Sequence, residues 1–251
     1  MQVCVTADIE RFSDGVAKYD CSYRINDIVF IRKLTDMFCE VDILSTLFIL
    51  GKFAYEEPAI IDIVKENGHE LASHGYSHFD LRTLPFSLLK EELTKSKAFF
   101  SPKGFRAPYY GCNAQIIEQL KLHFVYDSSY VPMRTTLISH PIHMLTESLM
   151  EIPISTVWGL PLTSTTLRLL PLPIVKELVS VILKRNKYLI VNVHPWEFAK
   201  VPQEISVPFY VKKNTGLSFL NKFCELLQFL QALGGEFVTM EQIYEHHRGL
   251  C

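Results

Sequence analysis

Three stretches of the chain are apolar on both faces of an extended backbone: QVCVTAD at residues 2–8, ILSTLFIL at 43–50 and KYLIVNV at 187–193. A strand with no polar face must be covered on both sides, as strands of a parallel sheet flanked by helices are. The segments between them carry helical periods. NDIVFIRKLTDMF offers Asn26 as an N-cap and apolar residues at 28, 31, 34 and 38. EEPAIIDIVKENG places Pro58 in a first turn and Gly68 just past a helix end. The alternation continues with a short strand before His74, a helix from about Phe86 to Phe99, a strand into GFRAP and a helix from about Asn113. Strands at HFVYD and MEIPIS follow, then a helix after Pro173, the strand KYLIVNV, a long helix from near Leu217, the strand GEFVTM and a short helix. Strand–helix units over the whole length, without a Ser/Gly-rich linker, predict one α/β domain, residues 1–251, around a parallel sheet. Seven or eight such strands are enough to close a barrel, which presents functional residues on the loops after the carboxyl ends of its strands. An open doubly wound sheet is the other arrangement, but no GxGxxG follows the first strand to support a dinucleotide site.

Composition removes several function classes. The net charge is −2, with no basic run and no basic-aromatic stripe, which gives no reason to expect a nucleic-acid partner. No apolar run reaches the ~20 residues a membrane helix needs. The opening MQVCVTADIE lacks the features of a secretory signal, so the expected location is cytoplasmic. The six cysteines, at 4, 21, 39, 112, 224 and 251, are scattered without a CxxC pair. They read as reduced thiols, most of them buried as small hydrophobes.

Ionisable residues gather where these strands end. TADIE closes an apolar strand with Asp8 and Glu10, two residues apart and therefore on one side, with Ile9 turned into packing. GHELASHGYSH holds three of the nine histidines. His74 and His78 stand four apart around Gly75 and can converge on one ion; with a carboxylate they make the ligand set of a catalytic zinc site or of a two-histidine iron site. His69, beside Gly68 at a helix-to-strand turn, reads as a structural hydrogen-bonding residue. GFRAPYYG puts Arg106 at a strand end, which calls for a carboxylate partner. KYLIVNVHPWEF ends in His194, and YDSSY delivers Asp127.

In order, these pieces resemble the polysaccharide deacetylase family, the NodB-homology group of carbohydrate esterase family 4, over nearly the whole chain from TADIE to GEFVTMEQIYE; GHELASHGYSH and FRAPYY are the most specific elements. The resemblance implies a distorted (β/α) barrel of about seven parallel strands, a divalent metal, usually zinc, and hydrolysis of an N-acetyl or related amide. It assigns His74 and His78 as metal ligands, Asp8 as catalytic base, Arg106 as the partner of that base, Tyr109 as the residue whose backbone N–H holds the oxyanion, His194 as general acid and Asp127 as the acid that orients it. The family's second Asp, usually the third ligand, is replaced here by Ile9. Divergent branches reading Asp-x-Glu use the acid two residues on, and strand geometry independently turns Glu10 to the same side as Asp8. Tyr110, Trp196 and Glu197 are candidates to line the substrate cleft, with barrel-rim packing the other reading of the last two.

The expected substrate is a carbohydrate or small amide, and a homo-oligomer is left open. Without a signal, a sugar or glycan on the inner side of the membrane is expected in preference to cell-wall polymer. Two alternatives stand beside an N-deacetylase: a metal-independent, allantoinase-like amidohydrolase, motivated by Ile9, and a non-catalytic carbohydrate-binding relative. The apolar, proline-punctuated stretch WGLPLTSTTLRLLPLPIVKELV reads mostly as core and connecting loop.

Overall fold

The apolar runs become the strands on which everything else is hung. The computed structural model describes residues 1–19, 21–133 and 141–249. Its strands are β1 (Gln2–Ile9), β2 (Ser45–Ile49), β3 (Glu70–Ser73), β4 (Gly104–Phe105), β5 (Tyr126–Asp127), β6 (His143–Met144), β7 (Met150–Glu151), β8 (Thr156–Val157), β9 (Leu160–Pro161), β10 (Tyr188–Val193) and β11 (Glu236–Phe237). In space β10, β1, β2, β3, β4, β5 and β7 follow one another as seven parallel strands, with β6 antiparallel on the outer edge of β7. β11 pairs with the start of β1, at Gln2 and Val3, before β2 begins at Val5. β8 and β9 form a separate hairpin.

The sheet curls into a half-barrel, and the irregular chain from 152 to 163 spans its remaining side. Ser155 N donates to Ile190 O at 3.2 Å, and Asn192 N donates to Leu162 O at 3.1 Å. The barrel and parallel character expected from the apolar runs are therefore present, with closure made by single hydrogen bonds rather than by a further long strand. β2 and β10 are buried at every position, as their lack of a polar face requires.

Helices cover the outside, including Asp27–Glu40, Ala59–Glu66, Phe86–Lys95, Ala114–Leu120, Leu172–Arg185, Leu217–Ala232 and Met240–Arg248. The inner faces of Asp27–Glu40, Ala59–Glu66, Leu172–Arg185 and Leu217–Ala232 join β1, β2 and β10 in one large core that includes Leu34, Phe38, Val175, Phe219 and Phe223, while the other three helices pack in two smaller clusters. Asn113 caps its helix by accepting from Ile116 N at 3.0 Å. Asn26 precedes its helix without a side-chain cap bond; next to it, Asp27 accepts from Phe12 N at 2.8 Å and ties that helix to the loop after β1. The helix expected up to Phe99 ends at Lys95, and Pro173 lies inside the first turn of its helix, where a missing N–H costs nothing. A helix at Gly51–Glu56 directly after β2 carries no cap signal in the sequence.

Of the cysteines, only Cys4 is fully buried; Cys21, Cys112 and Cys224 are half-buried and Cys39 is exposed, all with free thiols. That corrects the expectation that most would pack as small hydrophobes. Cys251 lies outside the described residues. Among the described residues, no helix is long and apolar enough to cross a membrane.

Candidate active site

Register brings the strand ends to one level. Ile9 pairs with Ile49, Ile49 with Ser73, Ser73 with Phe105 and Phe105 with Asp127. The next residues out of the sheet, Glu10, His74, Arg106 and Ser128, therefore emerge along one rim, and His194 leaves β10 beside them. Of these, Glu10, His74 and His194 line a cleft of about 200 Å³ with Asp8, His78, Tyr109 and Trp196, its mouth bordered by Lys18, Tyr19 and Tyr210. The hydroxyls of Tyr19 and Tyr210 meet at 2.7 Å across that mouth.

Arg106 is fully buried, and every part of its guanidinium has a partner. Its Nη1 donates to Asp8 Oδ1 at 2.8 Å, Asn192 Oδ1 at 2.7 Å and Thr6 Oγ1 at 2.9 Å. Its Nε and Nη2 donate to Ser128 O and Ser128 Oγ at 3.1 and 3.0 Å, and its face lies 3.9 Å above the Phe48 ring. Asn192 Nδ2 donates to Asp8 Oδ2 at 2.8 Å and to the Tyr110 hydroxyl at 2.9 Å. Burial pushes the Asp8 carboxyl up, but Arg106, with His74 and His194, outweighs it and holds the carboxyl below its usual range. Asp8 is held ionised, with one oxygen gripped by Arg106 and the other by Asn192.

Ile9 points into the core and is fully buried, so Glu10 faces the cleft as strand alternation requires. Glu10 Oε2 lies 2.5 Å from His78 Nε2 and 3.6 Å from His74 Nε2. Among the described residues these three form a group whose ligand atoms all lie within 4.8 Å of one another. His74 Nδ1 is 3.0 Å from the Arg106 carbonyl, so it donates there and turns the Nε2 lone pair toward Glu10. His78 Nδ1 is buried with no hydrogen bond, and a positive φ of 58° at His78 swings the ring back to the site. Burial raises and the His78 charge lowers the Glu10 carboxyl, leaving it well below its usual range. The donor set fits a divalent metal with open positions. Gly15 is required above it, because a Cβ there would stand 2.4 Å from Glu10 Oε1.

His194 faces Asp8 across the cleft, Nε2 to Oδ2 at 3.7 Å. Its ring stacks on Trp196, with centroids 5.5 Å apart, and Trp196 Nε1 is 3.4 Å from Glu10 Oε1. Burial lowers the His194 pKa, yet the hydrogen bond and charge of Glu197 more than reverse this and raise it to about 9. Asp127 does not reach His194. Ser129 Oγ donates to Asp127 Oδ1 at 2.6 Å, and the carboxyl lies beside Glu151 in a second cavity, of about 550 Å³. The acid against His194 is Glu197, whose Oε2 accepts from His194 N at 3.0 Å and lies 3.2 Å from His194 Nδ1. Glu197, 1% exposed, spends its oxygens on protein groups, and the Tyr110 hydroxyl accepts from Asn192; both still border the cleft, with Trp196 and the more exposed Tyr109. His69 packs edge-on against Phe38 and faces the Thr35 backbone, a structural place away from the cleft.

Asn192, Thr6, Ser128 and Arg168 had no place in the sequence reading. Asn192 was visible as the one amide in KYLIVNV, and Arg168 as a lone cation in TTLRLLPL. Nothing in Thr6 or Ser128 singles them out before the fold brings Arg106 to them.

Residues 20–125 match the family model Polysaccharide deacetylase, and residues 128–245 match Domain of unknown function (DUF3473). One sheet runs through both stretches: β1 joins β2 of the first to β10 of the second, and β5 joins β4 of the first to β7 of the second, although β1 and β5 themselves lie outside the matches. A chitin deacetylase from Colletotrichum lindemuthianum is 33% identical over 104 residues, 37% of this chain and 42% of that protein. The chain thus matches under half the length of that relative. In fold, a crystal structure assigned to the polysaccharide deacetylases of Mycobacterium smegmatis superposes with a TM-score of 0.70 at 19% identity, covering 99% of this chain and 90% of that one. The PuuE allantoinase structure follows with 0.66 at 14% identity, covering 98% and 89%. Residues 20–125 are thus similar to the polysaccharide deacetylase family, and the curled sheet shares its fold with the polysaccharide deacetylase and allantoinase crystal structures.

Proposed function

We propose that the protein is a metal-dependent N-deacetylase of an N-acetylated sugar or glycan. The observation that carries this reading is a buried base, Asp8, and a cationic acid, His194, 3.7 Å apart beside a Glu10–His74–His78 ligand set. A binding module has no use for that opposition of acid and base. The similarity to a chitin deacetylase supports the substrate class.

Glu10, His74 and His78 would hold a divalent metal, zinc by preference, which would supply a Lewis acid that makes a water acidic enough to be deprotonated near neutral pH. Asp8, kept ionised by Arg106 and aimed by Asn192, takes the proton of the water whose oxygen adds to the amide carbon. The Tyr109 backbone N–H, at a turn with φ 56° on the cleft wall, is the donor for the carbonyl oxygen as it gains charge. The C–N bond breaks as His194 gives its Nε2 proton to the nitrogen, so the amine departs neutral and His194 is left as imidazole with Nδ1–H on Glu197. Acetate and a free amine are the products.

The test is acetate release from chitooligosaccharides and N-acetylated muropeptides, after chelation and after zinc is restored. Zinc-restored turnover, with one metal per chain in the parent and none in Glu10→Ala, is the expected result. Full activity in chelator with no bound metal would sink the metal assignment and leave the allantoinase-like alternative, motivated by Ile9.

A further inference from the structure

Next to His194 lies a buried charged pair of which the chemistry above uses only the Glu197 contact and leaves Arg168 unaccounted for. Arg168 and Glu197 are each 1% exposed. Arg168 Nε donates to Glu197 Oε1 at 2.8 Å, and Glu197 Oε2 accepts from His194 N and lies 3.2 Å from His194 Nδ1. Arg168 also donates to the carbonyls of Tyr210, at 2.9 Å, and Lys213. Each end of the chain Arg168–Glu197–His194 is thereby anchored. Arg168 belongs to the short helix Ser164–Leu169, which also brings Ser164 Oγ to 3.3 Å from His194 Nδ1. Tyr210, on whose carbonyl Arg168 sits, borders the cleft mouth.

A buried ion pair costs several kcal/mol per ion in desolvation and is seldom the most stable filling of its space. Apolar residues of similar volume would pack Ser164–Leu169 against the barrel at no such cost. The pair has geometric value only through what Glu197 touches, and Glu197 touches His194. We propose that Arg168 and Glu197 are positioning residues for His194: Arg168 holds Glu197 in one rotamer, and Glu197 holds the imidazole with Nδ1–H inward and Nε2–H toward the leaving nitrogen. They take over the task that the family resemblance assigned to Asp127. The proposal rests on the deacetylase reading for the purpose of the alignment but not for the alignment itself.

His194 also faces Asp8 and Glu10 from β1, so those carboxylates contribute to its charge. The experiment must therefore separate Glu197 from them. In the zinc-loaded protein, ¹⁵N shifts of the His194 ring are followed against pH in the parent, Glu197→Gln, Arg168→Met and, as a control, Asp127→Asn. The expected result is a parent ring that titrates above an ordinary histidine and keeps its proton on Nδ1 when neutral. Glu197→Gln should lower that titration and move the neutral proton to Nε2, with Asp127→Asn unchanged. In turnover, kcat in Glu197→Gln falls on the order of 10–100-fold with KM nearly constant, and Glu197→Asp recovers part of it. Should either single variant fail to fold, Arg168→Met/Glu197→Gln removes both charges together and takes the same measurements. An unchanged His194 titration and tautomer in Glu197→Gln, or an equal shift in Asp127→Asn, overturns the proposal. If the parent releases no acetate from any substrate, the deacetylase reading fails instead, and the ring shifts still decide the positioning.

Discussion

Asp8 and Asp127 sit at the carboxyl ends of parallel strands of one sheet, and both are almost fully buried, yet their environments drive them apart. Asp8 meets Arg106 and Asn192 and is held below the usual carboxylate range. Burial raises Asp127 to about 6, only partly offset by the Ser129 hydroxyl. Its neighbour Glu151 is raised well above its usual value by burial and by the Asp127 charge. Arg106 leaves β4, the strand next to Asp127, but crosses the barrel interior to Asp8 on β1. A strand-end carboxylate in a barrel is therefore not a catalytic group by position. The cation that reaches it decides.

Removing that cation should erase the contrast. Arg106→Met leaves Asp8 buried without a counter-charge, so a loss of about 3–5 kcal/mol is expected in denaturant unfolding, together with loss of turnover. Retained stability would mean that Asp8 is not charged in the fold. Next in size, His194→Ala should lower amide turnover on the order of 10²–10⁴-fold while unfolding stays close to the parent. Asp127→Asn should leave turnover within a few fold, and a drop matching that of His194→Ala would restore Asp127 to the acid's partner.

The smallest effect is in stability against pH, where the two carboxylates have opposite signs. Asp8, with a lowered folded pKa, stabilises above the usual carboxylate range, and that contribution is lost on acidification. Asp127, raised from 3.8 to about 6, binds more protons folded than unfolded in that window, so stability falls as pH rises through it. The expected size for the Asp127–Glu151 pair is on the order of 1–3 kcal/mol. Asp127→Asn should flatten the slope of unfolding free energy between pH 4 and about 6; a slope identical to that of the parent would remove the pair from the account.

Much of the site was legible because periodicity carries geometry over short distances. Alternation in TADIE turns Ile9 inward and Glu10 outward, and the structure has both. His74 and His78, four apart around a glycine, converge as their spacing allowed. The rim of strand ends was readable from apolar runs that stop at ionisable residues. Asp127 and Glu197 were not readable in the same way. Each lies beside a motif residue in sequence, and their roles depend on which side chains of distant strands come within about 3 Å, the range of a hydrogen bond.

The sequence by itself determined the parallel β/α architecture, the common edge of Asp8, Glu10, His74, Arg106 and His194, and the chemistry those groups can support. Those follow from local pattern, since two-sided burial and period-two alternation need no knowledge of partners. Only the tertiary structure decided which acid lies against His194, which carboxylate Arg106 neutralises and that Arg168 stands behind Glu197. These depend on strand order and register, which bring β10 beside β1 and the helix Ser164–Leu169 against His194, and Coulomb and hydrogen-bond energies change steeply over a few ångströms.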